Sequence, residues 1–400
     1  MSEHPMLSRV SARLSPSGIR KLEALASATP GLISLGPGQP DSSLFPATEI
    51  ASMIGATFDD SMKGAHALQY GASQGDPALI ELLVSYMRER GVACDASNIL
   101  ITAGAQQALD LICQLLADDG DTVLVQTPTY PGALQAFRAR GANVMALDET
   151  VENASNDDAS HRAKFIYAMA DFQNPTGDVL DIDARKALLA TARRRDLFVV
   201  EDSPYREIAF SERALPPTLL QLDSEHAADD ARRVLYTGSF SKVIAPGLRV
   251  GWVVGPAHIV SLLTLLRQGS DLQPSTLSQA IVAGLLARGI DPHIGQVRRR
   301  YAARRDAMLD ALHAHLAPYA TWNAPEGGFF IWVRLNAAID TTRLLLDAIE
   351  NGVAYVPGSE FDVDGRDTAT LRLSFSSVDP AQIDAAIRRL ARTVASALAR

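Results

Sequence analysis

Val234-Leu235-Tyr236-Thr237-Gly238-Ser239-Phe240-Ser241-Lys242, followed three residues later by Pro246-Gly247-Leu248-Arg249-Val250-Gly251-Trp252-Val253-Val254, is the stretch that decides the fold. Its apolar runs at 233–237 and 249–254 read as two sheet strands joined by a loop rich in chemistry. Working outward, short apolar runs at 98–102, 121–126, 164–170 and 197–201 bring the set to six strands. Helices at 105–118 and 183–195 lie between the early ones. In the first of these, Leu109, Ile112, Leu115 and Leu116 repeat at helical spacing, and Asp119-Gly120 stops it. Crossover helices make much of the sheet parallel. The polar or Pro-bearing segments 151–163 and 211–232 read as surface excursions. Beyond about residue 286 the texture changes. A long Arg/Ala-rich helix precedes short strands at 329–334, 353–356 and 370–375, and a last helix runs from Pro380. The expected fold class is α/β: a large domain with a mostly parallel sheet flanked by helices, then a smaller α+β domain. A chain of 400 residues exceeds what one core usually supports, which agrees.

Composition narrows the function. Hydrophobic residues at 47% and charged residues at 21% are ordinary globular usage, which excludes collagen-like, disordered and coiled-coil chains. A net charge of −9 disfavours nucleic acid and anionic membranes as partners. The run Arg298, Arg299, Arg300, Arg304 and Arg305 reads as a solvated helix face. Cys94 and Cys113 form no ligand-spaced cluster, so no metal site is expected, and each reads as a small core residue. They suit a reducing compartment, and with no signal peptide and no apolar span the expected location is the cytoplasm.

The loop between the two deciding strands carries the sharpest chemical signal. A surface Lys and Arg in a Gly/Pro turn is the bland alternative. Lys242, however, stands between apolar strands at a buried sheet edge, where a lysine almost never stays without a partner. A desolvated lysine near other cations has a lowered pKa and forms Schiff bases with aldehydes. Ser239, Ser241 and Arg249 beside it suit a dianionic phosphate. Together they point to an aldehyde cofactor bearing a phosphate, pyridoxal phosphate.

Four further motifs follow strand ends. Asp202, in Glu201-Asp202-Ser203-Pro204-Tyr205, can hold a pyridinium nitrogen protonated, with Tyr205 on the phenolic oxygen; a turn cap before Pro204 is the alternative. Asn174-Pro175-Thr176-Gly177 is a turn whose Asn174 amide can bind the same oxygen. Gly104-Ala105-Gln106-Gln107 opens a helix whose first N–H groups can receive a phosphate. Tyr130 can stack on a planar ring. Arg372, in Leu371-Arg372-Leu373, needs an anion inside an apolar strand; either a substrate carboxylate or a structural ion pair meets that need.

Taken in order, these residues resemble the fold-type I pyridoxal-phosphate enzymes of the class I/II aminotransferase family. Gly38-Gln39-Pro40, Tyr70-Gly71 with Gly75, Gly104, Tyr130, Asn174-Pro175-x-Gly177, Asp202-x-x-Tyr205, Ser239-x-Ser241-Lys242, Arg249 and Arg372 stand in family order. Within it, Ser17-Gly18-Ile19-Arg20 and Thr129-Tyr130-Pro131-Gly132 are similar to the kynurenine/2-aminoadipate aminotransferase branch. The resemblance implies an arm at 1–36, a large cofactor domain at 37–286 with a seven-stranded sheet, and a small domain at 287–400. It implies an L-amino acid donor and a 2-oxo acid acceptor of the 2-oxoglutarate or pyruvate type, exchanged through a Schiff base on Lys242. Lys242, Asp202 and Tyr205 would be catalytic. Gly104, Ala105, Gln106, Tyr130, Asn174, Ser239, Ser241 and Arg249 would bind the cofactor, and Tyr70 would reach the neighbouring subunit's phosphate in a homodimer. Arg372, Gly38, Asn174 and Arg20 would meet the substrate. Two positions depart from the branch: Gly36-Pro37-Gly38 stands where paired glycines are common, and Ala105 where a serine is. Racemisation, β- or γ-elimination and oxidation on the same fold are the alternative activities. The aminotransferase-like effector domain of a transcription regulator is a further alternative, disfavoured because about 30 residues before the first motif leave no room for a basic helix-turn-helix.

Overall fold

The computed structural model describes residues 6–14, 16, 18, 20, 25, 28–147 and 163–400. Ser17 and Ile19 of the arm motif, and all but Ala163 of the excursion expected at 151–163, lie outside the described residues. Among the described residues thirteen strands occur in chain order: β1 (Ile33–Ser34), β2 (Ile99–Thr102), β3 (Thr122–Val125), β4 (Asn143–Ala146), β5 (Ala163–Ala168), β6 (Phe198–Asp202), β7 (Val234–Ser239), β8 (Gly251–Val254), β9 (Ala320–Trp322), β10 (Phe330–Leu335), β11 (Val353–Ala354), β12 (Val356–Pro357) and β13 (Thr370–Ser374).

Seven of them form one sheet in the order β2-β8-β7-β6-β5-β3-β4. Parallel pairing runs from β4 through β3, β5 and β6 to β7, and β8 is antiparallel to both its neighbours. The inner strands read as continuous apolar runs because helices cover both faces, which also explains why alternation is weak in this part of the sequence. The seventh strand, β4, is not among the six that the apolar runs mark; it is an edge strand of mixed exposure, so its apolar signal is short and diluted. The sheet's topology brings the carboxyl ends of β2, β5, β6 and β7 to one edge, together with the start of β8. In open parallel sheets that edge is where ligands bind.

The C-terminal strands form an antiparallel sheet, β12-β13-β10-β9, backed by the helices Asp291–His315 and Pro380–Leu398. The stretch expected as one strand at 353–356 is two. Val353–Ala354 pairs in parallel with β1, while Val356–Pro357 pairs with β13. The chain changes sheets at Tyr355, whose hydroxyl is buried and donates to the Thr341 carbonyl at 2.7 Å. Beyond β1 the ladder continues: the Leu35 N–H donates to the Ala354 carbonyl at 2.8 Å, and the Ser374 N–H to the Leu35 carbonyl at 2.7 Å. The next residues are held by their carbonyls: Gly36 accepts from Arg372 on β13, Gly38 from Lys242 and Gln39 from Ser376.

The arginine run is not a solvated face throughout. Arg304 is buried, with Nη2 at 2.7 Å from Asp41 and 3.3 Å from Asp379, and Arg298 donates to the Glu207 carbonyl at 2.7 Å. A helix of 25 residues whose side chains reach Val243, Glu207 and Asp41 as well as the C-terminal helix buries more than one stripe, so charge alone misreads its faces. Cys94 and Cys113 are buried free thiols, as expected, with pKa values pushed by burial to about 11 and about 12. Among the described residues no helix is long and apolar enough to cross a membrane, and no group of His, Cys, Asp and Glu could hold a metal.

Candidate active site

Lys242 lies just past the end of β7, in the short loop before Pro246–Leu248. Phe240, one residue inside the serine pair, anchors that loop. It packs on Trp252 at 4.7 Å between ring centroids and meets Tyr86 edge-on at 5.9 Å. The Lys242 amine donates to the Gly38 carbonyl at 3.2 Å and stands 5.8 Å from the Tyr205 ring centroid. Part of its surface opens into the cleft, yet the surrounding atoms desolvate the amine. This burial, then the positive charges of Arg372 and Arg249, lower its pKa from 10.5 to about 8; the carboxylate of Asp202 offsets only part of this.

Asp202 ends β6. Neighbouring strand residues point to opposite faces, which separates the two acids Glu201 and Asp202. Glu201 turns away from the cleft and accepts the N–H groups of Leu219 at 2.9 Å and Leu220 at 3.0 Å, beneath the helix Leu219–Ser224. Burial raises its pKa to about 7. Asp202 faces the cleft. Its two oxygens accept from Tyr167 at 2.8 Å and from Thr237 at 2.9 Å, one donor on each flanking strand. Thr237 is the direct register partner of Asp202. Burial raises the Asp202 pKa, so the site holds a carboxyl group braced by neutral donors and facing toward a cation. The turn-cap reading of Asp202 is set aside by these contacts.

Arg372, on β13, is buried with its guanidinium carbon 4.0 Å from the Phe330 ring centroid and 4.8 Å from that of Phe361. It donates to Asn174 Oδ1 at 2.7 Å and to the Gly36 carbonyl at 2.6 Å. That bond uses the carbonyl end of Asn174, so its amide end is the one left to donate. Gly38 is required by space: a Cβ there would lie 2.7 Å from Phe330 Cζ. Tyr205 is buried edge-on against Phe329 at 5.3 Å and Phe330 at 5.7 Å.

The phosphate-type contacts gather at the other end of the cleft. Gly104 has φ +83° and precedes the helix Ala105–Leu116, which no side chain caps. Its first N–H groups can therefore donate to an anion. A Cβ on Gly104 would sit 2.6 Å from Arg249 Nη2, in the space between the turn and the guanidinium. Arg249 itself donates to the Ala103 carbonyl at 2.8 Å. Ser239 Oγ donates to Ser241 Oγ at 3.0 Å and accepts the Ser241 N–H at 3.2 Å. The Tyr130 hydroxyl is 3.4 Å from Gln106 Oε1, and burial and Asp202 raise its pKa while Arg372, Arg20 and Arg249 lower it. One cleft therefore joins Lys242, Asp202, Tyr205, Asn174, Arg372, Gly38, Tyr130 and the Gly104 turn, with Arg20 near its exposed rim.

Tyr70 stands apart, 78% exposed. Phe330 packs on Arg372 and Leu35 is buried beside the cleft strand, while Leu14 is exposed. Sequence reasoning missed Tyr167, Thr237 and Phe361. A tyrosine in the otherwise apolar run Phe165-Ile166-Tyr167-Ala168 was the available signal for the first; the other two depend on sheet pairing.

These groups fit pyridoxal phosphate: an amine of low basicity for its aldehyde, a buried carboxyl for its ring nitrogen, and an uncapped helix with two serines and an arginine for its phosphate. Known proteins agree. The chain is 36% identical over 392 residues to aromatic-amino-acid aminotransferase 1 of Thermococcus litoralis, covering 94% of this chain and 91% of that one. A Pyrococcus horikoshii kynurenine aminotransferase solved with PMP superposes with a TM-score of 0.90 at 35% identity, covering 98% of each chain. The alpha-aminoadipate aminotransferase of Thermus thermophilus, complexed with N-(5'-phosphopyridoxyl)-L-leucine, gives 0.87 at 35%, again over 98% of each. Residues 31–390 match the family model for aminotransferase class I and II, and it is to that family that this chain, with its lysine, aspartate and arginine sharing one cleft, belongs.

Proposed function

We propose that this pyridoxal-phosphate aminotransferase carries its cofactor as a Schiff base on Lys242 and exchanges amino groups between an L-amino acid and a 2-oxo acid. The observation that carries the reading is the Lys242 amine, with its pKa lowered to about 8, held in one cleft with Asp202 and Arg372. Bound there, the cofactor supplies an aldehyde carbon for the amino group and a ring that takes up electrons from the substrate Cα. Asp202 holds a proton at the ring nitrogen, and Tyr167 and Thr237 keep its oxygens aimed. Tyr205 and the Asn174 amide donate to the phenolic oxygen, and Tyr130 covers the ring. Ser239, Ser241, Arg249 and the N–H groups of Ala105 and Gln106 behind Gly104 hold the phosphate. Arg372 presents its planar fork to the substrate α-carboxylate beside Gly38. Lys242 Nζ moves the proton at the substrate Cα.

Arg20, at the exposed rim near Tyr130, meets a distal carboxylate, which favours glutamate and 2-oxoglutarate as one pair; pyruvate is the other acceptor type. The donor is of the aromatic or aminoadipate kind acted on by the relatives, and Phe330, packed on Arg372, is the apolar ring beside the carboxylate site. The active unit is a homodimer. Supporting this, Met62, Leu68 and Tyr70, close together in the chain, are 79%, 72% and 78% exposed, as apolar residues covered by a second copy would be in the single chain. The parts are an arm at 1–36, a large domain at 37–286 and a small domain at 287–400, working in the cytoplasm, where two buried free thiols stay reduced.

Two measurements test this. Holoenzyme mixed with one amino donor and no acceptor should convert to the pyridoxamine spectrum once and stop, and 2-oxoglutarate should restore the starting spectrum. Continuous ammonia release without an acceptor would instead establish an eliminating or oxidising enzyme. Second, the rate at which apo-protein takes up pyridoxal phosphate should rise about tenfold per pH unit and level off near 8, because only the neutral amine attacks. An ordinary lysine would keep rising toward 10.5, and such a profile would contradict the desolvated site.

A further inference from the structure

The turn at Gly104 is held from behind by three side chains that lie outside the cofactor contacts proposed for this cleft. Gln107 Oε1 accepts the Ala103 N–H at 2.7 Å and Arg267 Nη2 at 2.9 Å. Gln107 Nε2 donates to Asp271 Oδ2 at 2.5 Å. Arg267 is fully buried; its Nε donates to Asp271 Oδ1 at 3.0 Å and its Nη1 to the Ile101 carbonyl. From the cleft side Arg249 donates to the Ala103 carbonyl at 2.8 Å. The Ala103 residue is therefore gripped at both its N–H and its carbonyl, by Gln107 on one side and Arg249 on the other.

Such an arrangement has a physical reason. Gly104, at φ +83°, is the residue of this turn whose backbone roams most freely, and it is the residue that aims the first N–H groups of the helix. Ala105 brings no hydroxyl, so the turn's contact with an anion rests on backbone direction alone. Gln107 is the third residue of the helix and reaches back past the cap, as the second half of a capping box does, but one residue further. A buried guanidinium is costly unless fully paired, and here Arg267 is spent on a carbonyl, an amide oxygen and a carboxylate that all brace this turn.

We propose that Gln107, backed by Arg267 and Asp271, is a positioning element that presets the Gly104 turn and so sets how tightly this protein holds the phosphate of its cofactor. The inference rests on the reading that pyridoxal phosphate occupies the cleft at Lys242, and it adds the residues that govern phosphate affinity from outside the contact.

The experiment compares dissociation constants of the apo-protein for pyridoxal phosphate and for pyridoxal, which lacks the phosphate, by absorbance titration. Gln107→Leu should weaken pyridoxal phosphate about tenfold and leave pyridoxal within about twofold, as loss of one oriented hydrogen bond at the turn requires. Gln107→Glu places two carboxylates in contact and should weaken it likewise. The double variant Gln107→Glu/Asp271→Asn transposes amide and carboxylate: the new carboxylate still accepts from Ala103 and Arg267, the new amide donates across the pair, and only the longer bond from Arg267 Nη2 to Asp271 Oδ2, at 3.2 Å, is given up. It should restore the wild-type ratio of the two constants. Equal weakening of both ligands in Gln107→Leu, or an unchanged ratio, would overturn the proposal, because a merely structural role moves both alike or neither. Should Gln107→Leu fail to fold, a double variant no better than Gln107→Glu alone overturns it just as well. A wild-type chain that bound neither ligand would instead refute the underlying cofactor reading.

Discussion

Lys242→Ala should lower turnover by at least ~10^4-fold, the upper end of what a positioned acid–base group contributes, and the absorbance band of the lysine-bound cofactor should vanish. The reason lies in what surrounds the amine. Its pKa is brought to about 8 chiefly by burial, with Arg372 and Arg249 adding to the shift, so near neutral pH a usable fraction is uncharged and nucleophilic. Two other lysine amines are engaged elsewhere: the Lys164 ammonium lies 3.3 Å from Asp121, and that of Lys63 lies 3.6 Å from Asp60. The substitution removes a side chain from a cleft wall and no packed core, so folding should survive. The check has two parts, steady-state turnover and the spectrum of the purified protein after saturation with pyridoxal phosphate. A variant that kept either turnover or the band would show that the covalent attachment lies elsewhere. Added methylamine or ethylamine, small enough to enter the space left by the side chain, should recover part of the proton-transfer rate in proportion to the free-base concentration.

The extent to which the site could be read from sequence follows from chain distance. Lys242, Ser239, Ser241 and Arg249 share one loop, and their chemistry converges without any knowledge of the sheet. Asp202, Asn174 and the Gly104 turn each follow a strand, and strands in a parallel sheet end at one edge, so parallel topology alone gathers them. Register is a different matter. Tyr167 and Thr237 meet Asp202 from 35 residues away on either side, and only the pairing of β5, β6 and β7 selects them. The same holds for Arg304, whose burial is set by partners far along the chain, Asp41 on one side and Ser376 and Asp379 on the other. Residues 36–40 show the limit most clearly. Their carbonyls reach both Arg372 and Lys242 because Leu35 bridges Ala354 and Ser374, partners more than 300 residues away. Local pattern marks Gly38, but its task arises from a ladder that no short window contains.

Asp202→Asn should lower kcat/KM by ~10^2 to 10^4-fold, the equivalent of about 3–5 kcal/mol for breaking a buried charge pair by altering one partner. The substitution is nearly isosteric: one of the hydroxyls of Tyr167 and Thr237 can turn to accept from the new NH2 while the other still donates to the amide oxygen, so the cleft should keep its shape. What is lost is the negative charge facing the ring nitrogen. An amide cannot hold a proton there, and the ring then accepts electrons poorly. Tyr167→Phe and Thr237→Val, which leave the charge but remove one donor each, should cost less, about 1.5–3 kcal/mol apiece for a hydrogen bond to a charged group. This graded series separates the charge of Asp202 from its orientation. A cofactor analogue methylated at the ring nitrogen carries a permanent positive charge and needs no carboxylate, so it should raise the activity of Asp202→Asn while doing nothing for Lys242→Ala. If Asp202→Asn stayed within about fivefold of the parent enzyme, or if the methylated ring gave it no advantage, the carboxyl would be only a structural anchor between β5 and β7. The contacts argue against that outcome, because an anchor needs only hydrogen bonds, and a neutral side chain would make them without the cost of burying a charge whose pKa the cleft drives upward.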